Sequence, residues 1–183
     1  MILPLFRRTV RESTISSLYG TIVAQARLPC FYQEYRVADT VNGRFDLIVL
    51  HLAMVLERFA GEPALSRVGQ GLFDRFWQDM DHNLREMGVG DLAVPKKMRA
   101  LGEAFYGRTN AYRAALADGD AALLAEAMAR NIYGGAPPDP AAPRRLAAYM
   151  QDALRNLAAQ PSDRLAAGEL RFPDPMISFK TAL

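Results

Sequence analysis

The sequence predicts an all-α fold: one domain over residues 1–183, a helical bundle of about six or seven helices with a central apolar helix and an extended C-terminal tail. Three observations predict it. Apolar residues recur at helical spacing from about residue 15 to residue 157. Glycines and prolines fall between those stretches, where helices stop and start. No convincing strand pair and no internal repeat breaks the pattern.

Thr9-x-x-Glu12 has the form of a capping box, in which hydroxyl and carboxylate each satisfy a free backbone amide. Behind it Ile15, Leu18, Ile22 and Ala26 share one helical face, and Pro29 closes the helix. Residues 30–45 mix aromatics with the turn formers Asp39, Asn42 and Gly43, which predicts a short helix and loop wrapping the core. From about Arg44 to Ala60 the chain is apolar nearly all round, the mark of a helix buried on most sides and placed at the bundle's centre.

Leu72, Phe73, Phe76, Trp77, Met80, Leu84 and Met87 follow at helical spacing, and Gly88 supplies a stop. A turn around Asp91 leads into a helix with Pro95 at or near its first position and a core face of Met98, Leu101, Phe105, Tyr112 and Leu116. Asp118 or Asp120 caps a shorter helix that Gly134 and Gly135 end. The Pro-rich loop after it reads as a connector. A last long helix carries Leu146, Met150, Leu154 and Leu157, and a brief turn follows Pro161. The tail from Gly168 has two prolines and no clear period, so it is expected to run extended across the bundle.

Composition narrows the function. Half the residues are apolar and 23% are charged, ordinary for a soluble globular domain. A net charge of +2 creates no global field towards nucleic acid, so DNA is not an expected partner and any basic function is local. Cys30 is the single cysteine, which excludes an intramolecular disulfide and a cysteine-based zinc or iron–sulfur site. The longest uncharged apolar run, residues 47–56, has ten residues against the ~20 a spanning helix needs. The N-terminal stretch has the Arg- and Ser-rich composition of a transit peptide, but its capping and periodicity assign it to the folded domain. Arg7 and Arg8 follow the apolar residues instead of preceding them, unlike a secretory signal.

No phosphate loop, dinucleotide fingerprint or nucleophile elbow is present, so no enzyme activity and no cofactor are expected. Asp79, His82 and Glu86 share a helical face at metal-ligand spacing, but no matching acid–histidine pair stands elsewhere, and solvated charges are the expected state. His51, inside the most apolar helix, is expected to be a hydrogen-bonded core histidine, and Cys30 a packed thiol. Lys96 and Lys97 open a helix, where cations oppose the macrodipole. With Arg99 and Arg85 they form a basic cluster that is either solvated surface or a docking patch for an acidic or phosphate-bearing partner. Gly107, before Arg108, sits mid-helix at a cost of about 1 kcal/mol. Close approach of another backbone is the expected reason, and room for a partner helix the alternative.

The stretches 31–56, 72–98, 104–112 and 129–135, above all LREMGVGDLAVPKKM, resemble the ubiquinol–cytochrome c reductase (respiratory complex III) assembly chaperone family in its bacterial form. The resemblance covers most of residues 15–135, and residues 136–183 inherit no role from it. It implies an all-helical, non-enzymatic chaperone that binds newly made cytochrome b and holds it for haem insertion and subunit assembly, with a small partner protein. Such a protein is expected in the cytoplasm, peripherally at the inner face of the inner membrane, or in the mitochondrial matrix if eukaryotic. The expected partner-binding residues are Arg85, Lys96, Lys97, Arg99 and Arg108, in contact with ribosome, anionic membrane or client, and the aromatics Phe31, Tyr32 and Tyr35. Two alternatives stay open: a membrane or ribosome adaptor without a dedicated client, and a haem- or metal-handling helical protein using His51, His82 or buried tyrosines.

Overall fold

In the computed structural model the backbone is described for residues 3–181 and the side chains for residues 12–180. Six helices of eleven residues or more form the bundle: α1 (Leu3–Ala26), α3 (Val41–Phe59), α4 (Pro63–Glu86), α5 (Val94–Asp118), α6 (Ala121–Asn131) and α7 (Ala142–Ala158). Three short ones complete it: α2 (Pro29–Gln33), α8 (Ser162–Ala166) and α9 (Pro175–Thr181). The fold is all-α. At its start α1 is already helical at Leu3, ahead of the expected capping box; the Thr9 side chain lies outside the described residues.

The apolar run becomes the axis of the bundle. On α3 every residue from Asp46 to Leu52 is buried, two full turns, which requires neighbours on all sides. Those neighbours are α1, α4, α5 and α7. Thr40 caps α3, its hydroxyl accepting from Gly43 N–H at 3.1 Å, so Asn42 and Gly43 belong to the first turn and not to a loop. A side chain at Gly43 would place its Cβ 2.0 Å from the Ala38 carbonyl oxygen, so only glycine fits there. At the other end Arg58 donates to the Leu157 and Gln160 carbonyls and the Ser162 hydroxyl, which latches α3 to the end of α7 and to α8.

Two aromatic clusters flank the axis. Phe31, Tyr35, His51, Tyr149, Phe172 and Phe179 pack with ring centroids 5.1–6.0 Å apart, the edge-to-face range in which each pair adds about 0.5–1.5 kcal/mol beyond burial. Phe45, Phe73, Phe76, Trp77, Phe105 and Tyr106 make the other, joining α3, α4 and α5.

The tail differs from expectation. It runs extended only to Asp174, whose carboxylate accepts from Met176 N–H at 2.9 Å and so caps α9, with Pro175 at the first helical position. This strap is tied down where the Tyr35 hydroxyl donates to the Pro175 carbonyl at 2.6 Å and Gln25 donates to that of Pro173 at 3.2 Å. The Arg145 guanidinium stacks 5.0 Å over the Phe179 ring.

Candidate functional site

The basic cluster lies on the turn between α4 and α5, and that turn is rigid. Gly88, at φ 79°, leaves the helix in the left-handed region. Its N–H donates to the Arg85 carbonyl at 3.0 Å and Val89 N–H to that of Leu84 at 3.1 Å, the paired bonds of a Schellman stop. The Gly90 carbonyl then accepts from Ala93 at 2.8 Å and Val94 at 3.2 Å, and buried Val94 anchors the start of α5. Ala93 offers no side-chain cap and the first turn of α5 holds no acid. On that uncapped end Lys96, Lys97 and Arg99 are exposed, and none forms an ion pair with a described carboxylate. The same turn exposes Leu92 completely and Met87 to 55%.

Arg85 does not join them. Its Nε lies 2.7 Å from Asp81 and its Nη1 contacts Asp91, so its charge is spent within the hairpin. That pairing holds the Asp81 carboxyl below its usual range. Glu86 likewise meets His82 at 3.1 Å.

Arg108 also departs from the expected patch. It lies inward, with Nη2 2.8 Å from Oδ1 of Asp46, and the carboxylate side chain is only 8% exposed. The approach is close but out of line: neither Oδ1 of Asp46 nor Nε of Arg108 reaches hydrogen-bond geometry with a described residue, nor does the buried hydroxyl of Tyr112. Burial pushes the Asp46 carboxyl up to about 6, with the Arg108 guanidinium opposing. Phe31 and Tyr35 are fully buried, because the single turn of α2 is folded beneath the α9 strap against His51, and they offer no surface to a partner. Tyr32 is half-buried and donates its hydroxyl to the Ala26 carbonyl at 3.2 Å.

The remaining chemistry is structural. His51 Nδ1 lies 2.7 Å from the Leu47 carbonyl, which can only accept, so that nitrogen carries the proton and Nε2 accepts from Tyr149 at 2.8 Å. Burial depresses the imidazole to about 4. Asp79 accepts from the Tyr19 hydroxyl at 2.9 Å, apart from the His82–Glu86 pair. Cys30 is a half-buried thiol shifted up by burial. Among the described residues no three His, Cys, Asp or Glu groups converge as metal ligands, and no helix is long and apolar enough to cross a membrane.

A groove the sequence did not reveal runs beside α5, about 200 Å³ in volume and lined by Leu56, Phe73, Phe105, Tyr106 and Leu116. Nearby, the expected close approach of another backbone at Gly107 is not found: outside its own helix turn, no described atom lies within 4 Å of the Cβ it lacks.

Comparison with known proteins places this architecture. The family described as ubiquinol-cytochrome C chaperone matches residues 33–172, which extends the likeness through α7 and α8, past the last recognisable motif. Ubiquinol-cytochrome-c reductase complex assembly factor 1 of Xenopus laevis is 25% identical over 155 residues, 84% of this chain and 77% of that protein. The Mus musculus protein of the same name is 26% identical over 157 residues, 85% of this chain, which spans only 53% of the mouse protein. The crystal structure of the Cbp3 homolog from Brucella abortus is similar at TM-score 0.86 and 41% identity, covering 96% of this chain and 98% of that one.

Proposed function

Because the chain belongs to the ubiquinol-cytochrome C chaperone family, we propose that it holds newly made cytochrome b for assembly into the ubiquinol–cytochrome c reductase complex, without catalysis of its own. One observation carries the reading. The turn bearing Lys96, Lys97 and Arg99 gathers three exposed cations on an uncapped helix end, none of them paired with a described carboxylate. Fixed, uncompensated charge is suited to gripping an acidic loop or phosphate outside the molecule, and ill suited to stabilising its own helix. The titratable groups of the interior support the same reading, since His51 is engaged at both nitrogens and cannot ligate haem or a metal while Tyr149 holds it.

The complex for which the Xenopus laevis relative is named an assembly factor suits a peripheral position at the membrane where that complex is built. Affinity capture of the tagged protein from its native membrane fraction tests the proposal. Cytochrome b is the expected co-purifying polypeptide, and a deletion strain is expected to lose assembled complex while keeping the cytochrome b transcript. Normal complex levels in that strain end the proposal.

A further inference from the structure

The α4–α5 turn carries a feature that docking on an acidic polypeptide does not use. Leu92 is wholly exposed at its tip and Met87 is 55% exposed at its base, held there by the Schellman bonds and the Gly90 carbonyl and not by loop motion. A large aliphatic presented on a rigid turn next to Lys96, Lys97 and Arg99 joins two attractions in one place, apolar insertion and cationic contact. We propose that this tip docks on an anionic bilayer surface, with Leu92 and Met87 entering the headgroup layer and the three cations meeting lipid phosphates.

The acids of the hairpin do not cancel that charge. Asp81 and Asp91 share the single charge of Arg85, and Glu86 meets only His82, so these acids reduce the charge, yet residues 85–99 still carry four cations against two carboxylates. On α5 the next carboxylate after the cations is Glu103, a turn beyond Arg99. A nucleic acid fits the tip less well. Single-stranded RNA is gripped through aromatic stacking, and residues 87–99 contain no aromatic side chain, while an aliphatic tip has no use against phosphates alone. No described helix is long and apolar enough to cross a membrane, so attachment through the described residues is peripheral, and a few charges with two side chains make it reversible.

The inference rests on the chaperone reading only for why a membrane is close. Purified full-length protein is sedimented with phosphatidylcholine vesicles, with vesicles containing phosphatidylglycerol, and mixed with ribosomal RNA as competitor. Binding to the anionic vesicles alone, falling with salt, is expected. Lys96→Ala with Lys97→Ala is expected to weaken it roughly 25-fold, about fivefold per charge. Leu92→Ser, at a fully exposed site, is expected to weaken it about tenfold with an unchanged melting curve. Equal binding by wild type and both variants overturns the proposal, as does no vesicle binding or complete displacement by RNA. Because client capture is scored separately, failure here leaves the cytochrome b reading standing, and the reverse holds.

Discussion

The Tyr149 hydroxyl sits 2.8 Å from Nε2 of His51 and joins α7 to the central helix through the core. Gln25 on α1 donates to the same hydroxyl at 3.1 Å, so three long helices meet at one buried oxygen. Each polar atom in that chain has its partner, down to the Leu47 carbonyl that fixes the imidazole tautomer.

Tyr149→Phe therefore leaves His51 Nε2 as a buried acceptor without a donor. A loss of about 1–3 kcal/mol is expected, read as a lower denaturant midpoint with unchanged slope. Gln25→Leu, which removes half-buried donors to the Tyr149 hydroxyl and the Pro173 carbonyl but leaves the hydroxyl its bond to His51, is expected to cost less. No loss from Tyr149→Phe would show that the tyrosine matters through its ring alone.

The pH dependence of stability follows from two buried groups on α3 that act in opposite senses. Asp46, raised to about 6 in the folded state, keeps a proton that the unfolded chain has lost, so it stabilises the fold as pH falls through 6 towards 4. His51, lowered to about 4, refuses a proton that the unfolded chain accepts below about 6.5, so its stabilisation is lost over nearly the same window as pH falls. Each is worth about 1.4 kcal/mol per pH unit there, and they cancel. Asp46→Asn is expected to unmask a steep loss on acidification between pH 6 and 4, measured as free energy of unfolding at stepped pH. A variant profile parallel to wild type would show that Arg108 holds the Asp46 carboxylate ionised.

How much of this was legible depended on periodicity. The order of the long helices, the burial of α3 and the stops at Gly88 and Gly134 could be read because apolar spacing and glycine chemistry are local signals. The α9 helix was announced by Asp174 before Pro175, a cap and a first-turn proline, but seven residues are too few to show a period. Arg108 and Asp46 stand 62 positions apart, and nothing local says which residue of α5 turns towards which residue of α3. The burial of Phe31 and Tyr35 is hidden for a related reason: a five-residue helix and the turn after it have no readable face, and their cover comes from the far end of the chain. Leu92 carried no pattern at all, since exposure at a turn tip is set by how two helices pack.

Gly107 makes a cleaner test of surface against packing. Its position in the middle of α5 meets open space, so alanine fits without displacement and is expected to raise stability by about 1 kcal/mol through helix propensity. Thermal melting measures it. If Gly107→Ala melts higher yet fails to restore complex assembly in the deletion strain, the glycine clears the way for a partner helix; if it restores assembly fully, that face of α5 is ordinary surface.

The lysine pair gives the sharpest separation of stability from function. In the first turn of α5, Lys96→Glu with Lys97→Glu replaces two charges that oppose the macrodipole by two that favour it, on an end that has no cap and no acid. Each reversal is expected to add about 0.3–1 kcal/mol, since neither lysine gives up an ion pair with a described carboxylate. Helicity is expected to hold and the melting temperature to rise. Complex assembly in the deletion strain is expected to fail nonetheless, because the grip on the partner is lost while the fold improves. A variant that is both more stable and fully active would show that the helix start is merely unoptimised, and the turn would lose its claim to be the site.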